Sequence, residues 1–303
     1  MTLDTVIIGA GPAGLTAAIY AVRAGLTAEV LEQNMYGGQI VNTPSIDNYP
    51  GLPGVSGHEF ASALYKQATD LGAIVTLDPV VEACLTGDVK TITLEDRTIS
   101  AKTVIVATGA KPVLLGCPGE ERLTGTGVSY CATCDGAFYR GKDVAVVGGG
   151  NTAIEEALVL SGLCNKVHLI HRRKGFRAEK HMLDALRAKP NVEWITDAVV
   201  EEIRGDNAVS AVTVKDVLNG QKRDIPVSAI FVSIGSKPDN RIFASELALD
   251  EGGYVIADES CVTNVPGVFV AGDTRTKKVR QMVTAAADGA VAALAASEFI
   301  AEM

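Results

Sequence analysis

The chain has 303 residues, which at about 150 residues per domain suggests two domains. Hydrophobic residues make up 47% and charged residues 21%, a globular composition that excludes wholesale disorder. The 36 acidic residues outnumber the 27 Lys and Arg and give a net charge of −9. This balance argues against a nucleic-acid or anionic-membrane surface, because both select a basic excess. The 31 glycines and 5% aromatic residues favour an α/β protein over an antiparallel sandwich.

Two apolar stretches have the composition of membrane spans. Residues 5–22 carry no charge, but three glycines and Pro12 interrupt them, and no basic region precedes them as in a signal peptide. Residues 282–296 are rich in Ala, short for a span and broken by Asp288. We therefore expect a soluble cytoplasmic protein with no membrane partner.

The predicted elements alternate between strands and helices. The first series consists of strand 5–9, helix 11–25, strand 28–32, a Gly-, Pro- and Asn-rich loop 33–55, helix 56–72, β-type runs 74–99 and strand 102–107. The second series consists of strand 143–148, helix 151–163, strand 166–171, helix 179–188, β-type runs 192–215 and strand 229–235. A strand at 267–271 and a helix at about 279–300 come last.

The two series are internal repeats. IGAGPAGLTAA at 8–18 matches VGGGNTAIEEA at 147–157, and VIVATGAKP at 104–112 matches IFVSIGSKP at 230–238. Self-similarity of this kind is the signature of a repeated supersecondary unit. The repeats therefore predict two copies of one nucleotide-binding architecture.

The first repeat carries a glycine motif, Gly9-x-Gly11-x-x-Gly14, between a strand and a helix. In a dinucleotide-binding turn the first Gly permits the tight turn, the second admits a pyrophosphate and the third lets helix pack on strand. The helix N-terminus supplies free N–H groups for the phosphates. Glu32 ends the next strand, where a carboxylate binds ribose hydroxyls. The alternative is a plain strand–helix turn.

The second repeat carries Gly148-x-Gly150-x-x-Ala153, and a basic segment, HRRKGFR at 171–177, follows its second strand. Guanidinium groups bind a 2′-phosphate bidentately, whereas a carboxylate repels it. The segment therefore predicts NADP(H) rather than NAD(H). The alternative is a solvated basic turn.

Cys131 and Cys134 form the CxxC pair CATC, and Asp135 follows directly. A lone CxxC is weak as a zinc site, which needs four ligands, whereas the spacing suits a dithiol/disulfide couple. The alternative is a pair of structural cysteines. Two dinucleotide sites beside a dithiol provide a complete path for electrons, so we favour redox chemistry.

These motifs closely resemble those of the low-molecular-weight, bacterial-type thioredoxin reductases, in class II of the pyridine nucleotide-disulfide oxidoreductases. The resemblance is carried by GAGPAG at 9–14, GGQI at 37–40, ATGA at 107–110, CATCDG at 131–136, GGGNTA at 148–153, HRRKGFRA at 171–178, AGD at 271–273 and RQ at 280–281.

The resemblance implies an α/β fold with two Rossmann-like (three-layer ββα) nucleotide-binding domains, the second inserted into the first. An FAD-binding domain would span 1–113 and 242–303, and an NADPH-binding domain carrying the CxxC would span 114–241. The implied catalytic residues are Cys131, Cys134 and Asp135, with no metal ligand. The implied cofactor-binding residues are Gly9, Gly11, Pro12, Ala13, Gly14, Glu32, Gly37, Gly38, Gln39, Asn48, Val80, Ala107, Thr108, Gly109, Gly148, Gly150, Asn151, Thr152, Ala153, His171, Arg172, Arg173, Arg177, Ile234, Gly235, Gly272, Asp273, Arg280, Gln281 and Met282.

The implied activity is a relay in which NADPH reduces FAD, FAD reduces the Cys131–Cys134 disulfide, and the dithiol reduces a thioredoxin or thioredoxin-like protein. Cys134 would face the flavin, Cys131 would attack the partner's disulfide, and Asp135 would manage the protons. The nicotinamide and the cysteine pair must both reach the flavin, and Cys131 must also reach a protein partner. These requirements predict a rotation of the inserted domain, with hinges near 111–117 and 236–240. The family is typically homodimeric.

Three alternatives remain open on the residues alone. The redoxin partner could be a peroxidase or another protein instead of thioredoxin. A flavin dithiol oxidase uses similar cysteines, although it has no need of the NADPH motif. A non-catalytic NADP sensor would use the CxxC as a minor zinc site or a structural pair.

Overall fold

The computed structural model describes residues 2–43 and 45–303, so Pro44 in the predicted loop 33–55 lies outside the described residues. The chain divides into two compact units. The first comprises Met1–Lys111 and Lys237–Met303, and the second comprises Pro112–Ser236. The second unit is thus an insertion in the first. The assignment of one cofactor to each unit stays a prediction.

The elements follow one another in the order that the repeats predict. The chain opens with β1 (Thr2–Ile8), α1 (Pro12–Arg23), β2 (Ala28–Glu32), α2 (Gly57–Asp70), β3 (Ile74–Leu77), β4 (Glu82–Cys84), β5 (Lys90–Thr93), β6 (Thr98–Val106) and β7 (Lys111–Pro112). It continues with β8 (Val128–Ser129), α3 (Ala132–Asp135), β9 (Asp143–Val147), α4 (Asn151–Ser161), β10 (Lys166–Ile170), α5 (Lys180–Arg187), β11 (Val192–Ile195), β12 (Ala198–Arg204), β13 (Ala211–Asp216), β14 (Lys222–Pro226), β15 (Ala229–Val232) and β16 (Ser236–Lys237). Then come β17 (Val268–Val270) and α6 (Met282–Ala301).

The first unit is built on a seven-stranded sheet in the order β3-β2-β1-β6-β5-β4, with β17 paired to β6. Strands β3, β2, β1, β6 and β17 run parallel, whereas β4 and β5 are antiparallel. The parallel strands are apolar on both faces, and Val104, Ile105 and Val106 have no exposed surface. Ile8 pairs with both Leu31 and Val106, so these strands end at one edge of the sheet.

The second unit repeats this plan with a five-stranded parallel sheet, β11-β10-β9-β15-β8, and a separate antiparallel sheet, β12-β13-β14. The predicted α/β fold class, with two Rossmann-like domains and the second inserted into the first, is confirmed. Strand β14 was missed because three of its five residues are charged and only Ile225 is buried. Such an edge strand lacks the apolar alternation on which strand prediction rests.

Helix α6, at Met282–Ala301, confirms the helix that the sequence predicts at about 279–300. Within the described part of the chain it is the one helix long and apolar enough to span a membrane. It packs on α1 so closely that a side chain at Gly289 would overlap the carbonyl oxygen of Ala13. Core helices of other proteins pass the same length and composition test.

Asp288 in α6 lies in a buried ion cluster. Its two oxygens accept hydrogen bonds from Nε and Nη2 of Arg275 at 2.9 Å, and Lys277 Nζ lies 2.8 Å from Oδ2. The backbone N–H of Gly272 donates to the same Oδ2 at 2.9 Å. Burial opposes ionisation, but the donors from Arg275 and Lys277 outweigh it and lower the pKa of Asp288. The cluster therefore ties α6 to the loop that follows β17.

Asp288→Asn should destabilise the protein by about 3–5 kcal/mol at neutral pH, because it removes the buried carboxylate that Arg275 and Lys277 share and leaves Arg275 only the exposed Glu259 as a partner. Urea unfolding checks this, with Asp70→Asn as the matched control. Asp70 pairs with Lys66 on the exposed face of α2, where such a pair contributes less than about 1 kcal/mol.

Acid should erase the difference between wild type and Asp288→Asn. A lowered folded pKa contributes stability that is fully present above the unfolded value of about 3.9 and lost as the pH falls through the folded value. Equal stability of the two proteins at neutral pH would contradict a stabilising role for the cluster.

Candidate functional site

The first glycine turn is shaped by steric contact at the carboxyl ends of β1 and β6. Gly9 has φ +111°, and a Cβ on it would overlap the carbonyl oxygen of Ala107. A Cβ on Gly14 would overlap the carbonyl oxygen of Gly9. By contrast, the nearest atom to a Cβ on Gly11 is Gly38 Cα at 4.0 Å. The first and third glycines thus serve the fold, whereas the second leaves room at the N-terminus of α1 for a ligand.

Glu32 and the loop after it line the same turn. One carboxylate oxygen of Glu32 accepts the N–H of Ala10 at 2.9 Å, and the other accepts the N–H of Asn34 at 3.1 Å. The N–H of Gly37 donates to the Ala10 carbonyl at 2.7 Å. The predicted ribose-binding acid and the predicted Gly37–Gln39 loop are therefore brought to the glycine turn.

Other predicted residues of the first unit meet across long sequence separations. Asn48 Nδ2 donates to Gln281 Oε1 at 3.0 Å, and Gln39 Nε2 donates to the Ala110 carbonyl. Thr108 Oγ1 lies 3.1 Å from Oδ1 of Asn240, a buried residue that also accepts from Thr274. Sequence reasoning missed Asn240 as a site residue because no glycine, charge or motif marks it.

Asp273 provides the sharpest test of whether a cofactor fits the first unit. Its Oδ1 is buried and has no hydrogen-bond partner in the described residues. Burial raises the pKa of this carboxyl, against the opposing charges of Lys277 and Arg280. A buried acceptor without a protein partner is satisfied by an ordered water or by a ligand donor, and the hydroxyls of FAD supply such donors. The residues of this site therefore fit FAD.

Arg280, predicted to bind cofactor, is held beside Asp273. Its guanidinium lies 4.1 Å from the ring centroid of Tyr254, and its Nε donates to the Asp273 carbonyl at 3.3 Å. The cation–π contact fixes the direction of a long side chain that otherwise samples many rotamers.

The second glycine turn repeats the first in the inserted unit. Gly148 has φ +155°, and a Cβ on it would overlap the carbonyl oxygen of Ser233. Ala153 is fully buried at the third position, and a Cβ on Gly150 would have no protein atom within 4 Å. The open position is again the second one, at the N-terminus of α4.

The basic segment after β10 packs back on this turn. The N–H of Arg177 donates to the Gly149 carbonyl at 2.8 Å, and the His171 ring lies so close that a Cβ on Gly149 would overlap it. Burial, together with the neighbouring guanidinium groups, lowers the pKa of His171. Arg172, Arg173 and Arg177 are exposed, and in residues 2–43 and 45–303 none of them forms an ion pair.

Three guanidinium groups without carboxylate partners, beside a helix N-terminus, fit the additional phosphate of NADPH. Sequence reasoning missed Gly149 because it occupies a variable position of the fingerprint. Its role becomes visible only when the His171 ring is seen against it.

Cys131 and Cys134 form a disulfide at the short helix α3, with Cα atoms 5.3 Å apart. Ser129 Oγ donates to Asp135 Oδ2 at 2.6 Å and accepts the N–H of Cys131 at 3.1 Å. Burial raises the pKa of Asp135, although the Ser129 hydrogen bond opposes it. An acid with a raised pKa therefore lies one residue from the disulfide, a position suited to acid–base participation. Cys84, Cys117, Cys164 and Cys261 are free.

The predicted residues divide cleanly between the two units. The first unit contains Gly9, Gly11, Pro12, Ala13, Gly14, Glu32, Gly37, Gly38, Gln39, Asn48, Val80, Ala107, Thr108, Gly109, Gly272, Asp273, Arg280, Gln281 and Met282. The second contains Cys131, Cys134, Asp135, Gly148, Gly150, Asn151, Thr152, Ala153, His171, Arg172, Arg173, Arg177, Ile234 and Gly235. Val80 packs on the core of the first unit, and Asn151 Oδ1 accepts the N–H of Glu179.

Comparison with known proteins decides the family. The family model described as pyridine nucleotide-disulphide oxidoreductase matches residues 3–289. The chain belongs to this family. A thioredoxin reductase of Peptoclostridium acidaminophilum is 43% identical over 98% of this chain and 96% of its own length. A thioredoxin reductase of Listeria innocua is 40% identical over 99% of this chain and 94% of its own length.

A solved structure supports the same family assignment as the sequence relatives. The crystal structure of thioredoxin reductase from Streptococcus pyogenes MGAS5005 superposes with a TM-score of 0.95 at 42% identity, covering 100% of this chain and 99% of that one. The predicted family is confirmed, and its thioredoxin reductases use FAD and NADPH, the two predicted cofactors. The individual cofactor-binding residues remain predictions.

Gly150→Ala should weaken NADPH binding about tenfold or more, equivalent to about 1.4 kcal/mol, without lowering the melting temperature. Gly150 has φ −99°, which alanine adopts freely, and its Cβ would meet no protein atom within 4 Å. Gly148→Ala is the matched contrast, because its backbone conformation and the Ser233 carbonyl oppose a side chain. It should lower the melting temperature. Unchanged NADPH affinity in a folded Gly150→Ala protein would place the nucleotide elsewhere.

Proposed function

We propose that this oxidoreductase is an NADPH-dependent thioredoxin-disulfide reductase. The observation that carries the proposal is the Cys131–Cys134 disulfide beside the half-buried acid Asp135, in the same unit as a nucleotide turn whose arginines form no ion pair in the described part of the chain. The relatives named thioredoxin reductases match over nearly the whole chain, which supports the same activity here.

NADPH would be held by the inserted unit. The open position at Gly150 receives the pyrophosphate, and the N–H groups at the start of α4 face it. Arg172, Arg173 and Arg177 bind the 2′-phosphate, since each guanidinium can donate two parallel hydrogen bonds to it. The neutral His171 ring packs against Gly149 and keeps the arginine segment in place.

FAD would be held by the first unit, through the Gly9–Gly14 turn, Glu32, the Gly37–Gln39 loop and Asp273. When bound, FAD supplies the chemistry that converts hydride transfer from NADPH into two-electron reduction of a disulfide. Asp273 Oδ1, which has no partner in the described residues, would accept a hydroxyl of the cofactor. Asn48 and Gln281, joined by a hydrogen bond, would also contribute to the FAD site.

The reducing end of the relay is built from residues 129–135. Ser129 holds both the Cys131 N–H and the Asp135 carboxyl, so disulfide and acid keep a fixed separation. Asp135 holds a proton more readily than an exposed Asp because burial raises its pKa. It protonates the sulfur released when the disulfide opens. Cys131 attacks the disulfide of the partner, and Cys134 resolves the mixed disulfide by thiolate exchange.

The division of the site between two units determines the remaining proposals. The disulfide and the NADPH residues belong to one unit and the FAD residues to the other, so we propose that the inserted unit reorients between the two transfers, with hinges near 111–117 and 236–240. We also propose that the enzyme acts as a homodimer in the cytoplasm, with thioredoxin as its partner.

Cys131→Ser and Cys134→Ser should each reduce NADPH-dependent thioredoxin reduction to the background rate. Both variants should keep FAD bound and should still oxidise NADPH with an artificial electron acceptor, because neither cysteine holds a cofactor. Cys84→Ser is the matched control, since Cys84 is exposed and free. Thioredoxin reduction by either active-site variant at the wild-type rate would refute the proposal, and loss of FAD would make the pair structural.

A further inference from the structure

The inserted unit contains a buried acid, Glu156, that the relay described above does not use. Glu155 and Glu156 are neighbours in α4, yet Glu155 is exposed and Glu156 is only 8% exposed. The surroundings of Glu156 are apolar, with Ala153, Ile154, Ala157 and Leu160 buried on the same helix. A carboxyl is unfavourable in such a place unless hydrogen bonds compensate.

The compensating contacts lead directly to the disulfide. Glu156 Oε1 accepts the N–H of Ala132, the residue that follows Cys131, at 3.2 Å. Its Oε2 accepts the hydroxyl of Ser233. Ser233 lies just after β15, and its own N–H donates to the Val147 carbonyl at 2.8 Å. One side chain therefore connects the helix of the disulfide, the helix of the nucleotide turn and the end of the sheet.

We propose that Glu156 is a positioning residue for the Cys131–Cys134 pair and that its carboxyl takes up a proton when the disulfide is reduced. The inference deepens the proposed function and rests on it for the source of the electron pair.

The charges around Glu156 favour this behaviour. Asp135 from α3 and Glu155 from its own helix act on Glu156 electrostatically, and both are acids that disfavour its ionised form. Burial also raises the pKa of Glu156, whereas the hydrogen bonds from Ser233 and Ala132 lower it and oppose that effect. Cys131 and Cys134 carry no charge while joined as a disulfide. A thiolate that forms there adds another negative charge next to the Ala132 N–H that Glu156 holds.

Reduction breaks the sulfur–sulfur bond with two electrons, which bound FAD supplies under the proposed function, and leaves one thiol and one thiolate after uptake of one proton. The new thiolate raises the pKa of Glu156 because like charges disfavour ionisation. Glu156 then takes a second proton from solvent and becomes a neutral carboxylic acid. Two electrons and two protons enter for each disulfide opened.

The test compares the holoenzyme with Glu156→Gln and, as matched control, Glu155→Gln. Each protein is equilibrated with reduced and oxidised dithiothreitol from about pH 5.5 to 8.5, a range above the ordinary pKa of a Glu carboxyl. Alkylation and peptide mass mapping then measure the fraction of Cys131 and Cys134 present as thiols. This readout does not depend on turnover, NADPH or thioredoxin.

Reduction of wild type takes up more protons than reduction of Glu156→Gln. The reduction constant of wild type should therefore fall more steeply as the pH rises. The ratio of the variant's reduction constant to that of wild type should therefore rise with pH, by at most about tenfold per pH unit for one proton. The same ratio for Glu155→Gln should stay flat. A flat ratio for Glu156→Gln overturns the proton uptake, even if the constant itself has shifted.

Ser233→Ala provides a second test in case Glu156→Gln does not fold. Losing the hydroxyl removes a hydrogen bond that lowers the pKa of Glu156, so the pH range of the extra proton uptake should move upward. If Ser233→Ala leaves this pH range unchanged, the inference is overturned. Failure of the proposed function looks different, because dithiothreitol would still reduce the disulfide of wild type while NADPH would not.

Discussion

The structure depends on one steric constraint that occurs twice, the close approach of backbone at the end of the first strand in each unit. At Gly9 and at Gly148 the neighbouring strand's carbonyl occupies the space of a side chain. This approach starts α1 and α4 at the sheet edge with their N–H groups directed outward. The second glycine of each turn then faces open space. The crowded first glycine and the uncrowded second glycine together shape each turn for a nucleotide.

The two turns differ in the charge of the side chains beside them. Glu32 holds the backbone of the first turn and suits a ribose, whereas the second turn is followed by arginines that lack carboxylate partners in the described part of the chain. In a chain of net charge −9, three unpaired guanidinium groups form a local attraction for phosphate. The disulfide region instead contains two acids, the half-buried Asp135 and the buried Glu156, and burial raises the pKa of both.

The sequence predicted the features that are local in the chain. The glycine turns, the CxxC and the alternation of buried strands and helices each depend on residues a few positions apart, so pattern alone located them. Asn240 and Glu156 were missed because their roles come from contacts with Thr108 and Ala132, more than 20 positions away. Strand β14 was missed because its charged residues lie on an edge. Glu156 is buried whereas Glu155 is exposed, a difference that the sequence alone does not predict.

We propose that electrons from NADPH reach the two sulfur atoms only through bound FAD. The most direct measurement is anaerobic incubation with NADPH as the sole reductant, followed by alkylation and mass mapping of Cys131 and Cys134, on protein with and without FAD. Both cysteines should become alkylated in the FAD-loaded protein and stay a disulfide in the FAD-free protein. A disulfide that persists in the loaded protein, or thiols that appear without FAD, would contradict it.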